Sequence, residues 1–433
     1  MNLPTVPPAD ARASLALRIN RRLFYGWVVL GVAALGLFTS GPGQSHIFSV
    51  FITPLSEDLG ISRTSVSTAY ALATLIAAFG LPYLGRLIDR FGARRILLIV
   101  TVGLGLAAMA FGMVNSLAML AVGFLALRFL GQGSLMLSCG NLVSQWFNRK
   151  RGFALSLMAL GFSASMAIHP PLAQWLADNV GWREAWLWLG VLTWILLLPL
   201  VLLLVHNKPE DLGLLPDGDA QPQPGEADNA ASDAEVGLPV GEAIRTPAFW
   251  IIAVSLASMS MLVTALFFFQ VSIFESHGLT RQLAAQVFSV SAVTMVVAMP
   301  LIGRLLDHFP TKPIFASAML TMSAALLAAI FVQDAVSAVL YSIVFGLANA
   351  AIQSHYIFLW PRYFGRRHLG SIQGTGQTVG IVGASIGPIP FGVAFDLSGT
   401  YSGALVLSAF LPVACAIAIL LMRPPRLVRP AVA

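Results

Sequence analysis

One arginine lies deep within an apolar stretch of this 433-residue chain. Arg128 follows about eleven residues of the stretch at 117–143, which places it roughly 16 Å along a helix that rises 1.5 Å per residue. A cation at that depth costs several kcal/mol unless it faces a cavity or a partner. No Asp or Glu lies deep in any apolar stretch. We therefore expect Arg128 to contact backbone or amide groups, water, or an anionic molecule.

Three histidines, His46, His169 and His355, also lie within apolar stretches. Histidine titrates near neutral pH, so each is either a proton carrier or a hydrogen-bonded packing residue. Without a buried carboxylate, proton coupling would use one of these imidazoles or a substrate that itself takes up the proton. Anion exchange would need neither.

An aromatic run, Phe267, Phe268 and Phe269, lies in the stretch at 247–274. Such a run is typical of the wall of an apolar binding site or of a surface that faces lipid. We favour the lipid-facing interpretation.

The composition indicates that these residues sit in membrane-spanning helices. Hydrophobic residues make up 57% of the chain and charged residues 10%, against about 25% charged in soluble domains. The first apolar stretch follows Arg18, Arg21 and Arg22. It is too long for a signal peptide and has no cleavage site, so we expect it to be a retained helix. Stretches long enough to span a bilayer occur at 24–51, 64–84, 95–113, 117–143, 152–176, 185–205, 247–274, 282–302, 312–331, 336–360, 370–395 and 402–422.

The positive charges predict how these spans are oriented. Of the 25 Lys and Arg residues, 21 lie in the N-terminus, the even-to-odd loops and the C-terminus. By the positive-inside rule, both termini and the central loop are cytoplasmic, and the chain lies in the cell (inner, cytoplasmic) membrane. The basic residues form no continuous stripe, so nucleic acid is not an expected partner.

A charged string occurs twice at an offset of 218 residues. GRLIDRFGARR occupies 85–95 and GRLLDHFPTKP occupies 303–313. The same offset relates Glu57 to Glu275, Gly60 to Gly278, Arg63 to Arg281, and Pro82 to Pro300. The predicted fold is therefore all-α, with twelve transmembrane helices in two six-helix pseudo-symmetric halves, which is a transporter architecture.

The repeat divides the chain into five predicted segments. A linker rich in acidic residues, Pro and Gly separates the two halves, and it is expected to be a flexible tether because it cannot bury enough apolar surface to fold. The segments are a cytoplasmic tail at 1–23, the N-terminal half at 24–205, the cytoplasmic linker at 206–246, the C-terminal half at 247–422 and a cytoplasmic tail at 423–433.

These motifs resemble a known family. GRLIDRFGARR is similar to the loop 2–3 signature of the major facilitator superfamily, and LRFLGQG (127–133) is similar to its helix-four signature. YGWVV (25–29), GWREAW (181–186), YFGRRHLGSIQG (363–374) and FDLSGTYSGAL (395–405) resemble its monocarboxylate transporter and oxalate:formate antiporter branch. The resemblance implies a cytoplasmic latch between the halves, whose second copy is weaker because it has lost charges. The gate residues so implied are Gly85, Asp89, Arg90, Gly92, Arg94, Gly303 and Asp307.

The same resemblance implies which helices line the transport cavity, namely the first, fourth, seventh and tenth. It also offers a structural or proton-relay role for Arg128 as an alternative to substrate binding. The candidate substrate contacts are Gln44, His46, Tyr70, Arg128, Gln270, Gln353 and His355. The candidate proton-coupling residues are His46 and His355, followed by His169.

The expected function is secondary transport of a small organic anion by alternating access, as proton symport or anion exchange, by a monomer. Helix eight lacks the buried Arg of the branch and helix eleven lacks its Lys, so a monocarboxylate is favoured over a dicarboxylate such as oxalate. The alternatives are a drug or metabolite exporter of the same fold, a membrane sensor, and a membrane enzyme. No ATP-binding loop, cofactor motif, metal-ligand spacing or catalytic constellation is recognisable.

Overall fold

The computed structural model describes residues 11–218, 238–365 and 369–425. The helices before the linker are α1 Ala11–Asn20, α2 Gly26–Thr39, α3 Ser45–Leu59, α4 Arg63–Phe91, α5 Ala93–Phe111, α6 Leu117–Leu127, α7 Met136–Trp146, α8 Arg151–Val180 and α9 Trp182–Leu204. After the linker they are α10 Val240–Ala243, α11 Pro247–Ser276, α12 Arg281–His308, α13 Thr311–Ile330, α14 Ala335–Phe364, α15 Leu369–Ile386, α16 Pro388–Ser398 and α17 Ser402–Leu421. Within the described ranges, eleven helices are long and apolar enough to cross a membrane, and α2 is a shorter apolar helix.

The first predicted span, at 24–51, is not one continuous helix, so that prediction was wrong. α2 ends at Thr39, a short 3₁₀ turn occupies Gly41–Gly43, and α3 begins at Ser45. The sequence of the turn explains the break, since Pro42 has no N–H to continue the α-helical bonding and the flanking glycines favour non-helical backbone.

The fourth span is also irregular. Between α6 and α7 the chain adopts a π-helix over Arg128–Leu135. A π segment shifts the register of the side chains that follow it, and such segments are frequent at functional sites. Arg128 is its first residue.

The internal repeat extends to the backbone. α4 begins at Arg63 and α12 begins at Arg281, which is the same offset of 218 residues. Each follows a glycine with positive φ, at 62° for Gly60 and 82° for Gly278. The two copies therefore have the same type of turn before the helix, in addition to similar sequences.

Contacts group the chain into two compact units. One comprises residues 1–48 and 76–222, and the other comprises residues 49–75 and 223–433. The predicted halves at 24–205 and 247–422 differ from these units in one segment. The end of the first span and the start of the second, at 49–75, pack with the second unit.

The core of the first unit is built around α2, which packs against α7, α8 and α9. An aromatic cluster lies in this core: the Phe48 and Phe124 ring centroids are 5.0 Å apart, and those of Phe111 and Trp186 are 4.5 Å apart. These rings are fully or almost fully buried. Buried aromatic pairs of this kind add roughly 0.5–1.5 kcal/mol beyond their area burial.

In the second unit α11 is buried along most of its length and packs against α15. Phe267, Phe268 and Phe269 are all buried on it, so the lipid-facing interpretation of this run was wrong. Phe267 packs on Phe345, with ring centroids 5.1 Å apart. Other helices surround α11, so the three consecutive phenylalanines can all be buried although they point in different directions.

The start of the predicted linker is held in place. The Asp217 carboxylate accepts backbone N–H groups of Asn148, Arg149 and Lys150 at 3.0, 2.8 and 3.1 Å. Asp217 has a positive φ of 60°, a conformation that Asp tolerates better than most residues. A flexible tether therefore does not begin at 206; residues 219–237 of the linker lie outside the described residues.

Large apolar side chains cover much of the outer surface. Phe79 and Leu397 are each 83% exposed, and Leu407 is 75% exposed. Exposed apolar surface on this scale would be unfavourable in water. Together with the long apolar helices it makes the chain an integral membrane protein.

Candidate functional site

Arg128 is the central residue of the candidate site. Its side chain is 3% exposed, and its Nη1 donates to the carbonyl of Gly43 at 3.0 Å and lies 3.4 Å from Ser45 Oγ. The guanidinium therefore joins the fourth span to the break in the first. Both of these acceptors are neutral, and among the side chains that the structure describes no Asp or Glu is buried.

Two glycines allow this close approach. A Cβ placed on Gly43 would lie 2.7 Å from the Cα of Gly131, and one placed on Gly131 would lie 2.8 Å from the Cα of Gly43. Any larger residue at either position would push the turn away from the π segment. Gly131, which follows Arg128 in the sequence, thus allows the turn to come close enough for the Gly43 carbonyl to accept a hydrogen bond from the arginine.

His169 packs against the same turn. Its Nδ1 is 3.0 Å from Ser165 Oγ, and a Cβ on Gly41 would lie 2.6 Å from its Cγ. The ring also lies 4.7 Å from that of Phe38. The sequence had ranked His169 last among the histidines, but it lies against the break in the first span.

His46 and Gln44 complete this group. His46 is 1% exposed and its ring contacts the Phe162 ring edge-on. Gln44 Nε2 donates to Ser40 Oγ at 3.0 Å, across the turn. Four predicted site residues of the first unit, Gln44, His46, Arg128 and His169, are therefore gathered at the turn Gly41–Gly43.

Two candidates of the second unit pack between its helices. Gln270 is fully buried; its Nε2 donates to the Ala284 carbonyl at 3.1 Å and its Oε1 accepts from the Tyr341 hydroxyl at 3.3 Å. Tyr70 is also fully buried, with its ring centroid 4.5 Å from that of Phe268. Hydrogen bonds and ring contacts of this kind join helices.

The two candidates on α14 have different surroundings. His355 is fully buried, stacks on Phe315 at 4.9 Å, and has its Nδ1 2.7 Å from the Ala351 carbonyl; its Nε2 has no hydrogen-bond partner among the described residues. Gln353 is exposed. Neither contacts Gln270 or Tyr70 through a hydrogen bond or ring pair in the described part of the chain.

The predicted latch residues fall into two groups. Asp89 and Arg90 are exposed at the end of α4. Arg94 instead binds within its own unit, since its N–H donates to Asn207 Oδ1 at 2.9 Å and its Nη2 donates to the Leu202 carbonyl at 3.0 Å. Gly92, with φ of 84°, allows Asn207 to approach.

The second copy of the charged string has a contact equivalent to that between Arg94 and the Leu202 carbonyl. Lys312 stands at the position of Arg94, and its Nζ donates to the Met422 carbonyl at the end of α17. Each cation thus binds a carbonyl at the C-terminal end of a helix, where the macrodipole favours positive charge. Gly85 and Gly303 lie within α4 and α12, and the side chain of Asp307 lies outside the described part of the chain.

Sequence reasoning missed a second arginine contact, that of the partly buried Arg63 in the second unit. The Arg63 guanidinium lies 3.7 Å from the ring centroid of Phe395 and donates to Ser272 Oγ and to the Tyr401 hydroxyl. Asp396 accepts the backbone N–H groups of Arg63 and Thr64 at 3.1 and 2.8 Å, and so caps α4. The signals available in the sequence were the repeated Arg63 and the FDLSGTYSGAL string.

The Tyr401 phenol stays protonated in this arrangement. Burial raises its pKa to about 12, and the nearby Arg63 opposes the rise only in part. The hydroxyl is therefore a neutral hydrogen-bonding group at every physiological pH. Within the described ranges, no three His, Cys, Asp or Glu side chains come together as a metal site.

The fold and the site define a multi-pass helical membrane protein of transporter architecture. The family model of the Major Facilitator Superfamily matches residues 30–388 and again 264–432. The chain belongs to the Major Facilitator Superfamily.

The chain is also similar to proteins of known name and to a solved structure. It is 27% identical over 235 residues to the oxalate:formate antiporter of Oxalobacter formigenes, covering 54% of this chain and 51% of that protein. It is 30% identical over 171 residues to monocarboxylate transporter 11 of Mus musculus, covering 39% of this chain and 38% of that protein. The matches thus span 51% and 38% of the length of these relatives. A crystal structure of a bacterial homolog of the human lysosomal transporter Spinster has a TM-score of 0.71 at 14% identity, covering 93% of this chain and 97% of that chain, which shows the shared fold.

Proposed function

We propose that this chain is a secondary transporter, not an enzyme, that moves a small organic anion across the cytoplasmic membrane by alternating access. The anion is a monocarboxylate, and its transport is coupled to protons or to a counter-anion. It binds at the turn Gly41–Gly43, where Arg128 supplies the positive charge.

The observation that carries the proposal is a buried guanidinium at a break in a membrane helix. Hydrogen bonds to the Gly43 carbonyl and the Ser45 hydroxyl hold Arg128 at this turn. A carboxylate that enters the site from water loses hydration, which costs free energy. Hydrogen bonds from the guanidinium would compensate part of that cost.

The break in the first span adds to the positive electrostatic potential at this site. α3 begins at Ser45, beside the guanidinium, and the N-terminus of a helix carries the positive end of its macrodipole. Discontinuous membrane helices whose N-terminal ends face an anionic substrate are a recurrent feature of secondary transporters. The names of the two relatives, which refer to oxalate, formate and monocarboxylates, agree with an anionic substrate.

Proton coupling is assigned to the imidazoles beside the turn. His169 packs against Gly41, and His46 follows the turn Gly41–Gly43 in the sequence, so a proton on either ring would add to the attraction for a carboxylate bound at the turn. Anion exchange would use the same site without them. A His46→Gln/His169→Gln variant that loses pH-dependent uptake but keeps exchange would identify the symport mode.

The test is the substitution Arg128→Gln. Glutamine keeps an N–H donor for the Gly43 carbonyl but removes the charge. We expect uptake of small monocarboxylates such as acetate, lactate and benzoate into reconstituted vesicles to fall about tenfold or more, because a hydrogen bond to a charged group contributes about 1.5–3 kcal/mol. The thermal shift that these acids cause in the purified protein should be lost with it.

Arg183→Gln is the matched control. Arg183 also donates to backbone carbonyls, those of Gly112 at 2.9 Å and Val114 at 2.8 Å, but at the end of the helices. The Arg183→Gln variant should change the thermal stability of the protein but leave anion uptake unchanged. Unchanged anion uptake in a folded Arg128→Gln protein would refute the site.

The proposal includes the orientation and the gate. Both termini are taken as cytoplasmic, with the exposed Asp89 and Arg90 on the same side. Labelling of single cysteines placed at the exposed Arg18 and at Arg423 from the outside of intact cells should fail. Labelling at either position would reverse the orientation.

A further inference from the structure

The second copy of the repeated string forms a cavity that the proposed transport cycle does not use. The cavity has a volume of about 420 Å³ and lies at the start of α13 and the end of α14. We call it the basic pocket. Its lining residues are Pro310, Thr311, Lys312, Pro313, Arg362, Tyr363 and the two prolines at 424 and 425.

Among the described residues that line it, the charged side chains of the basic pocket are both positive. Lys312 and Arg362 line it, and none of its lining residues is acidic. Lys312 gives one of its three donors to the Met422 carbonyl, which holds the ammonium in place and leaves two donors for a ligand. Arg362 lies in the last turn of α14 and is exposed.

Neutral donors complete the lining. The hydroxyl-bearing residues Thr311 and Tyr363 are largely buried at its wall. α13 is 20 residues long and begins at Thr311, so the positive end of its macrodipole lies beside the two cations. The four prolines have no N–H groups and a fixed φ, and they therefore give the cavity rigid apolar walls.

The comparison of the two copies explains how the second copy leaves room for this cavity. In the first copy Gly92 allows the Asn207 side chain to pack directly against the turn. Pro310 stands at the corresponding position, with φ of −57° instead of 84°, and its ring lines an open space. The charge of Arg94 is retained as Lys312, while prolines replace Gly92 and Arg95.

We propose that the basic pocket binds a phosphate group, such as the headgroup of an anionic phospholipid. Two cations, two hydroxyls and a helix N-terminus around a cavity of this size match the charge and the oxygen acceptors of a phosphate. Basic pockets between membrane helices near the cytoplasmic surface are suited to anionic headgroups, and the charge bias of the loops predicts that surface here.

The test measures lipid binding to the purified full-length protein by native mass spectrometry and by thermal shift. Phosphatidylglycerol, zwitterionic phosphatidylcholine and inorganic phosphate are added in separate arms. We compare the wild type with Lys312→Gln/Arg362→Gln and with Arg21→Gln/Arg22→Gln, which removes two exposed charges elsewhere. We expect the pocket variant to bind phosphatidylglycerol roughly thirtyfold more weakly and the control to bind it as the wild type does.

The arms separate the sources of the phosphate group. A shift with phosphatidylglycerol alone indicates a lipid headgroup, and competition by inorganic phosphate indicates a site for free phosphate; either result supports the proposal. Arg362→Gln alone, at an exposed side chain, serves if the double variant does not fold, with an expected loss of roughly fivefold. Equal binding by the pocket variants and the control would overturn it.

Discussion

The Arg63 guanidinium lies over the ring of Phe395, with its central carbon 3.7 Å from the ring centroid. Arg281, its counterpart in the repeat, instead forms an ion pair with Glu275 at 2.7 Å. Two arginines at equivalent positions thus have different partners: one has an aromatic ring and hydroxyls, and the other has a carboxylate.

This difference predicts unequal effects of the same substitution. Arg63→Lys should lower the free energy of unfolding by about 1 kcal/mol, because lysine loses both the planar stacking on Phe395 and the forked donors to Ser272 and Tyr401. Arg281→Lys keeps an ammonium beside Glu275 and should cost less. Thermal unfolding in one detergent measures both. Equal losses would argue against a stacking contribution at Arg63.

The turn in the first span should be intolerant of added volume. Gly43→Ala places a methyl group 2.7 Å from the Cα of Gly131, and relieving that clash should cost about 1–3 kcal/mol of stability. It should also move the carbonyl that accepts from Arg128 and reduce anion uptake. Gly31→Ala, where nothing lies within 4 Å, is the control on α2 and should unfold no earlier than the wild type. A stable, active Gly43→Ala protein would contradict this packing.

The two glycines of the first charged string should respond differently to alanine. Gly92→Ala combines a φ of 84° with a Cβ placed 2.7 Å from Asn207 Oδ1, so the protein should lose about 1–2 kcal/mol or more. Gly85→Ala has open space around its Cβ and lies within α4, where alanine is the better helix former. Thermal midpoints test the pair. If Gly85→Ala lowers uptake without lowering the midpoint, the gate role proposed for this position gains support.

The N-terminus of α14 should lose protection at acid pH. Hydrogen bonds from the Ser337 hydroxyl and backbone N–H lower the pKa of Asp334. Because this pKa is lower in the folded state, the cap stabilises the helix above the ordinary value near 3.9. That stabilisation is lost as the pH falls through the depressed value.

Amide hydrogen exchange at the first turn of α14 measures this effect. Exchange there should accelerate at acid pH, relative to intrinsic rates, in the wild type and not in Asp334→Asn. The neutral Thr280 cap of α12, whose hydroxyl accepts from Leu283 N–H, is the internal control. The same acid response at both helix starts would rule out the carboxylate as its cause.

The fold class could be predicted from the sequence because it depends on quantities that sequence carries directly. The length and number of the apolar stretches, the distribution of Arg and Lys, and the 218-residue repeat are local or additive properties. The structure confirmed an all-α membrane protein of the Major Facilitator Superfamily, and the repeat even fixed where α4 and α12 begin.

The break in the first span has a signal in the sequence, but hydropathy does not detect it. Gly41, Pro42 and Gly43 lie inside an apolar stretch that is long enough to span a membrane, and hydropathy alone favours one helix. Whether such a stretch is continuous depends on what replaces its lost hydrogen bonds. Here the Gly43 carbonyl is satisfied by Arg128, a residue 85 positions away.

The sequence by itself determined that a charge is buried in the fourth span and that no deep carboxylate accompanies it. Only the tertiary structure decided which groups surround that charge: the Gly43 carbonyl and the Ser45 hydroxyl as acceptors, with His46 and His169 nearby. It also decided that Arg63 stacks on Phe395 while Arg281 pairs with Glu275. The physical reason is that burial follows from composition along one chain segment, whereas a side chain's partners depend on directional contacts between segments far apart in sequence.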